Sequence, residues 1–206
     1  LVRPSAKVRV GTTVDFSGVC AEIGETLGEG RRRVTFERPD VISILEQTGE
    51  VPLPPYIHRD APDPSDLTRY QTIYARDPGS VAAPTAGLHF TDAVFASLDA
   101  AGVLRATLTL HVGYGTFSPI RTERVEDHVL DPEDFTLTED TARHLNETRA
   151  RGGRIVAVGT TTTRVLESQF LDGRFRPAGG STSRFICPPY TFQAVDALQT
   201  NFHLPR

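Results

Sequence analysis

The sequence contains no methionine and opens at Leu1. A complete translation product begins with Met, so a fragment, a processed chain or the ordered part of a longer one is expected. Cysteine is almost as scarce. Cys20 and Cys187 lie far apart, lack metal-ligand spacing and form no CxxC pair, which predicts two reduced thiols in a cytosolic protein. No apolar run approaches the roughly 18 residues of a membrane helix, and no charged-then-apolar leader opens the chain. HxH and HExxH are missing, so no metal is expected. There is no excess of positive charge either. With 22 basic and 26 acidic residues the net charge is −4, which argues against a surface that coats nucleic acid generally. Local basic patches are still conceivable at Arg31, Arg32 and Arg33 and at Arg149, Arg151 and Arg154.

The chain has 206 residues, enough for one good core or one core plus a smaller module. The first fifty-odd residues carry β patterns. Val8, Val10, Val14 and Phe16 alternate around a Gly-Thr break, and a glycine-studded turn leads to Val34 and Phe36. The run "PLPPY" fixes an extended path. A domain boundary is placed there, giving residues 1–54 as a small β-barrel-like domain and 55–206 as an α/β domain with a mixed sheet. Beyond Asp60 a polar connector with a short helix is expected. Thr91 is a natural N-cap with Asp92 in the first turn; Val94, Leu98 and Ala101 follow at helical spacing, and Gly102 suits the C-cap. In "VLRATLTLHVGYGTF", Leu104, Ala106, Leu108, Leu110 and Val112 share one strand face. Arg105, Thr107, Thr109 and His111 share the other. A second helix is predicted from Thr138 to about Arg151, stopped by Gly152 and Gly153. A buried strand, Ile155 to Val158, then turns at Gly159 into another helix, and the alternation implies an α/β layer. "DGRFRPAGGSTSR" reads as a flexible loop.

Three places invite a ligand. "GSVAAPTAGLHFT" spends thirteen residues on small side chains and sets His89 just before a helix start. His111 ends its strand beside Gly113 and Gly115, where a ligand can approach the backbone. In "GTTTTR", Thr160 to Thr163 lie at a helix N-terminus whose free N–H groups and hydroxyls favour an anion or a polyhydroxyl ligand, and Arg164 could add a fork for a carboxylate or phosphate. Two imidazoles near neutral pKa can exchange protons. Each feature also has an ordinary structural reading: a capped turn, or a hydrogen-bonded histidine.

"GSVAAPTAGLHFT", "LHVGYGTF", "GGRIVAVGTTTTRVLES" and "VDALQTNFHLP" occur together and in order. With "LVRPSAKVRVG" and "PLPPYI", this set resembles the S-adenosylmethionine:tRNA ribosyltransferase-isomerase family of the queuosine pathway, over nearly the whole chain. The resemblance implies a cytoplasmic enzyme that moves the ribosyl part of S-adenosylmethionine onto 7-aminomethyl-7-deazaguanine in tRNA. The sugar isomerises to give epoxyqueuosine. It also implies an α/β fold with an inserted β-barrel domain, and further segments before Leu1 and after "HLP". S-adenosylmethionine is a substrate; no cofactor and no membrane contact are expected, and the protein is expected to be a monomer. Carried onto this sequence, His89 and His111 are the acid/base candidates. Thr85, Gly87, Gly113, Gly115, Thr116, Thr160, Thr161, Arg164, Glu133, Asp196, Asn201 and His203 are the substrate-binding candidates. Departures are local. The family's H-x-M-H-x-E reads "HVLDPE" here, so His128 and Glu133 remain while Leu130 and Asp131 replace Met-His. Tyr114, Thr162 and the "ICPPY" turn also differ.

Overall fold

The computed structural model describes residues 8–28, 30–54, 57–113, 122 and 124–202. The chain divides into two compact units, residues 1–51 and 52–206.

In the first unit, β1 (Thr13–Phe16), β2 (Val19–Thr26) and β3 (Arg32–Phe36) form an antiparallel sheet in that order. β2 is central and alternates, burying Val19, Ala21 and Ile23 while Glu22 faces out. This is the pattern of a sheet with one covered face. Among the described residues the sheet is open, with β1 and β3 as free edges, so the expected barrel-like domain is corrected to a three-stranded sheet. Three short strands are too few to curl round and pair edge to edge. The sheet is followed by α1 (Val41–Thr48), which the sequence reading missed. Of the arginine trio, Arg33 pairs with Glu25 at 2.9 Å, and Arg32 reaches the Thr26 hydroxyl and the Val8 carbonyl.

The second unit opens with α2 (Asp66–Arg69) and a 3₁₀ turn, Thr85–His89. α3 (Asp92–Ala100) starts where expected, with the Thr91 hydroxyl accepting from the Val94 N–H at 3.3 Å. None of its residues is buried, so the expected apolar face of Val94, Leu98 and Ala101 packs into no core among the described residues. β4 (Thr109–Leu110), β5 (Glu133–Leu137) and β9 (Ala178–Thr182) make an antiparallel sheet with β5 in the middle. α4 (Glu139–Ala150) is capped by Thr138, which accepts from the Thr141 N–H at 3.2 Å; such a cap contributes ~1 kcal/mol. β6 (Val156–Val158) leads into α5 (Thr160–Gln169) and lies parallel to β10 (Ala197–Gln199). A parallel pair joined through a helix is the α/β unit the alternation predicted.

Phe135, Leu137, Ala157, Val165, Leu166 and Phe175 form the centre of this unit's core. Two expectations are corrected. The strand alternation holds from Leu108 to Val112, but residues 103–107 are exposed on both sides, with Leu104 at 74%. The segment expected to be a flexible loop, 172–184, holds β8 (Arg174–Phe175), which forms a hairpin with the preceding β7 (Phe170–Leu171), and then β9. Phe175 is the anchor: it is 2% exposed and packs against Phe170 with ring centroids 4.9 Å apart, and a buried aromatic of that size outweighs the ordering cost of a short turn. No helix among the described residues is long and apolar enough to cross a membrane.

Candidate active site

The small-residue stretch has a geometric cause. Its first residues lie along the end of β4. Val81 N–H donates to the Val112 carbonyl at 3.0 Å, and Val112 N–H donates to the Ser80 hydroxyl at 3.0 Å. Gly79 sits over the His111 ring with φ +134°; a Cβ there would come within 2.9 Å of Nδ1 and 3.1 Å of Cε1. Only glycine satisfies both the dihedral and the approach. Under this cover His111 Nδ1 is buried and has no hydrogen-bond partner. One face of the imidazole is thus covered by Gly79, while the residue also lines an open cleft. Gly79→Ala should push the imidazole aside and cost about 1–3 kcal/mol. Thermal denaturation would read the cost, and the His111 ring signals in an NMR spectrum should move.

One residue beyond Val112, Gly113 N–H donates to Glu133 Oε1 at 3.0 Å, and Arg164 of α5 donates to Oε2. Glu133 occupies the core-facing series of β5 with Phe135 and Leu137, and is 2% exposed; Arg164 is 8% exposed. A buried pair of this kind persists because each charge satisfies the other. It ties Gly113, three residues past β4, to the first turns of α5. Gly159, φ +91°, turns β6 into that helix and offers no capping side chain, while its own N–H donates to Gln199 of β10 at 2.8 Å. Thr160 is exposed and Thr161 half-buried at the helix start.

A third polar assembly lies further along α5. Glu167, 3% exposed, accepts from the Tyr190 hydroxyl at 2.9 Å and from the backbone N–H groups of Gln193, Ala194 and Val195 at 2.9–3.2 Å. Burial and the Glu167 bond hold the Tyr190 phenol above its ordinary range. The chain then enters β10 past Asp196, whose Oδ2 accepts from Ile155 N–H at 2.6 Å.

These bonds join the four sequence segments into one framework. Residues 79–82 bond to 111–113, Gly113 bonds to Glu133 and through it to Arg164, and the strand before Arg164's helix pairs with β10. On the polar face of β4 and β5 an open cleft of about 310 Å³ is lined by Asp77, Thr109 and His111 among others. A matching segment order alone could be accidental; a match over the whole sequence is not. The model of the family described as queuosine biosynthesis protein matches residues 1–206.

The chain belongs to that queuosine biosynthesis family. It is 51% identical over 204 residues to an S-adenosylmethionine:tRNA ribosyltransferase-isomerase of Anaeromyxobacter dehalogenans, covering 98% of this chain and 59% of that one. It is 50% identical to one of Sphingopyxis alaskensis, covering 100% and 60%. The crystal structure of an S-adenosylmethionine tRNA ribosyltransferase from Thermotoga maritima is 34% identical, with a TM-score of 0.47, covering all of this chain and 55% of that one. The chain thus spans about 59% of the length of the first of these curated relatives.

Within this family member the candidate residues fall into three groups. His111, Gly113, Glu133 and Arg164 are gathered at the end of β4, but Glu133 and Arg164 bind each other. His89 stands exposed at the end of its 3₁₀ turn, and no side-chain contact joins it to His111 among the described residues. Thr85 starts that turn, and Gly87 is buried against Tyr74 and Thr72. Asp196 fastens β10 to the start of β6, and Asn201 is half-buried two residues past β10. Gly115, Thr116, His203 and Tyr114 lie outside the described residues. Two arginines of the second expected basic patch are engaged structurally: Arg149 stacks on Phe170 at 4.7 Å and donates to the Gln193 carbonyl, and Arg151 lies 3.8 Å from Glu147, while Arg154 is exposed. His128 packs edge-on against Phe185 at 5.1 Å. The sequence reading missed Glu167 and Asp77. Glu167 carried no signal, since a glutamate on a helix reads as a surface residue; Asp77 had none beyond a turn-forming Asp-Pro-Gly.

Proposed function

We propose that this chain carries out, in the cytoplasm and as a monomer, the transfer and isomerisation of the ribosyl group of S-adenosylmethionine onto 7-aminomethyl-7-deazaguanine in tRNA, giving epoxyqueuosine. The observation that carries this reading is the family match across residues 1–206 together with about half identity to relatives of that name. The catalytic work is assigned to residues 55–206. S-adenosylmethionine enters as substrate and no cofactor is required.

The chemistry needs a base, an acid and exclusion of water. The sulfonium acidifies the proton on its 5′ carbon, so a neutral imidazole can remove it. Loss of adenine benefits from a proton donor, and the tRNA amine must be neutral to attack. His111 and His89 are the acid/base candidates. With Nδ1 of His111 covered by Gly79, proton exchange falls to the other ring nitrogen. The hydroxyls and free N–H groups of Thr160 and Thr161 suit the methionine carboxylate, and holding both substrates in register supplies much of the acceleration. Gly113 is held by Glu133, which Arg164 holds in turn.

The test is direct. Protein incubated with S-adenosylmethionine and tRNA bearing the 7-aminomethyl base should release adenine and methionine and leave epoxyqueuosine in the digested tRNA, read by mass spectrometry. Adenine release with a different modified nucleoside would favour a diverged relative, a reading that Asp131 in place of the family histidine would explain.

A further inference from the structure

The cleft beside His111 has a composition that selects a ligand. Its walls are Asp77, Thr107, Thr109, His111, Thr136 and Thr138. Thr109 and Thr136 face each other across β4 and β5. The Thr109 hydroxyl donates to Asp77 Oδ2 at 2.8 Å, and Arg76 donates to both Asp77 oxygens at 3.0–3.1 Å. Those bonds, Arg76 first, hold the Asp77 carboxyl below the usual carboxylate range, so it stays an acceptor at neutral pH. The remaining oxygen lone pairs, the hydroxyls and the His111 ring that lines the cleft point to a partner that both donates and accepts. A phosphate is disfavoured, because Asp77 and Asp140 both line the cleft and Arg76, the cation beside them, is already bound to both Asp77 oxygens. An apolar group is disfavoured by the hydroxyl lining. At about 310 Å³ the space is large enough for a sugar ring.

We propose that this cleft binds the vicinal diol of a ribose, with Asp77 accepting from the sugar hydroxyls and Thr109 and His111 completing the contacts. Carboxylate recognition of ribose hydroxyls is a general solution in nucleotide sites. The assignment deepens the proposed function and rests on it only for the source of the sugar, the nucleoside half of S-adenosylmethionine. Asp77 is thereby a substrate-positioning residue.

Calorimetry with three probes, adenosine, 2′,3′-dideoxyadenosine and methionine, tests it on the full-length protein and on Asp77→Asn and Thr109→Val. Adenosine should bind the unaltered protein at least tenfold more tightly than the dideoxy compound. Each substitution should weaken adenosine about tenfold and leave methionine within twofold. Equal affinity for the two nucleosides would overturn the proposal without any variant being needed; so would loss of methionine rather than adenosine, or no adenosine binding at all. S-adenosylmethionine is titrated in parallel. If it binds unchanged to both variants, the cleft assignment falls and the proposed function stands. If it fails to bind while adenosine behaves as expected, the sugar site stands and the proposed function falls.

Discussion

Arg164→Ala is expected to destabilise the larger unit by about 3–5 kcal/mol, because it leaves the Glu133 carboxylate buried without its guanidinium. Spread over a unit of this size, that corresponds to a fall in Tm of roughly 10 °C. The sign of the double variant makes the test specific. Glu133→Gln combined with Arg164→Met removes both charges while keeping an acceptor for the Gly113 N–H, so it should be more stable than Arg164→Ala alone. Urea denaturation followed by far-UV circular dichroism reads both. If Arg164→Ala costs under 1 kcal/mol, the pair is not the tie between β5, α5 and Gly113.

Glu167→Ala should be nearly as damaging, at about 3 kcal/mol or more, since one substitution strands the Tyr190 hydroxyl and three backbone N–H groups. The effect should be concentrated. Amides of Gln193, Ala194 and Val195 should exchange with deuterium many-fold faster, while those of β5 and β9 change far less. The reason is local: the segment 190–195 has a side chain, not a strand partner, as its acceptor. Glu167→Gln should fall between, keeping one acceptor oxygen but turning an NH₂ toward groups that are themselves donors. Uniform loss of protection across the unit would mean that Glu167 acts by global stability alone.

Local chemistry explains what was legible in the sequence. Thr91 and Thr138 announce their helices because a hydroxyl beside an acidic first turn fits only a helix start, and Gly159 announces its turn because no other residue takes φ +91° at ease. The alternation from Leu108 to Val112 also survives into the structure. What was hidden depends on distant partners. Leu104 and its neighbours follow a strand pattern with no strand beside them among the described residues. The hairpin of β7 and β8 looks like a loop until Phe175 finds Phe170 and the core. Glu133 and Arg164 read as ligand groups separately, because their pairing spans 31 positions of sequence. Glu167 reads as a surface glutamate on a helix until the 190–195 segment folds over it. In the site itself, the role of glycine at position 79 was visible only as an excess of small residues; the imidazole it covers lies 32 residues on.

The claim beneath the functional account is that the framework at the end of β4, with His111 at its centre, performs ribosyl transfer. The measurement that reaches it most directly is adenine release from S-adenosylmethionine by His111→Ala, run beside the unaltered protein with tRNA carrying the 7-aminomethyl base. The account predicts that the variant stays folded, binds S-adenosylmethionine more weakly but still saturably, and at saturation loses at least 100-fold in rate, in line with removal of a proton-transfer group. A variant that releases adenine and marks the tRNA at the rate of the unaltered protein would contradict it.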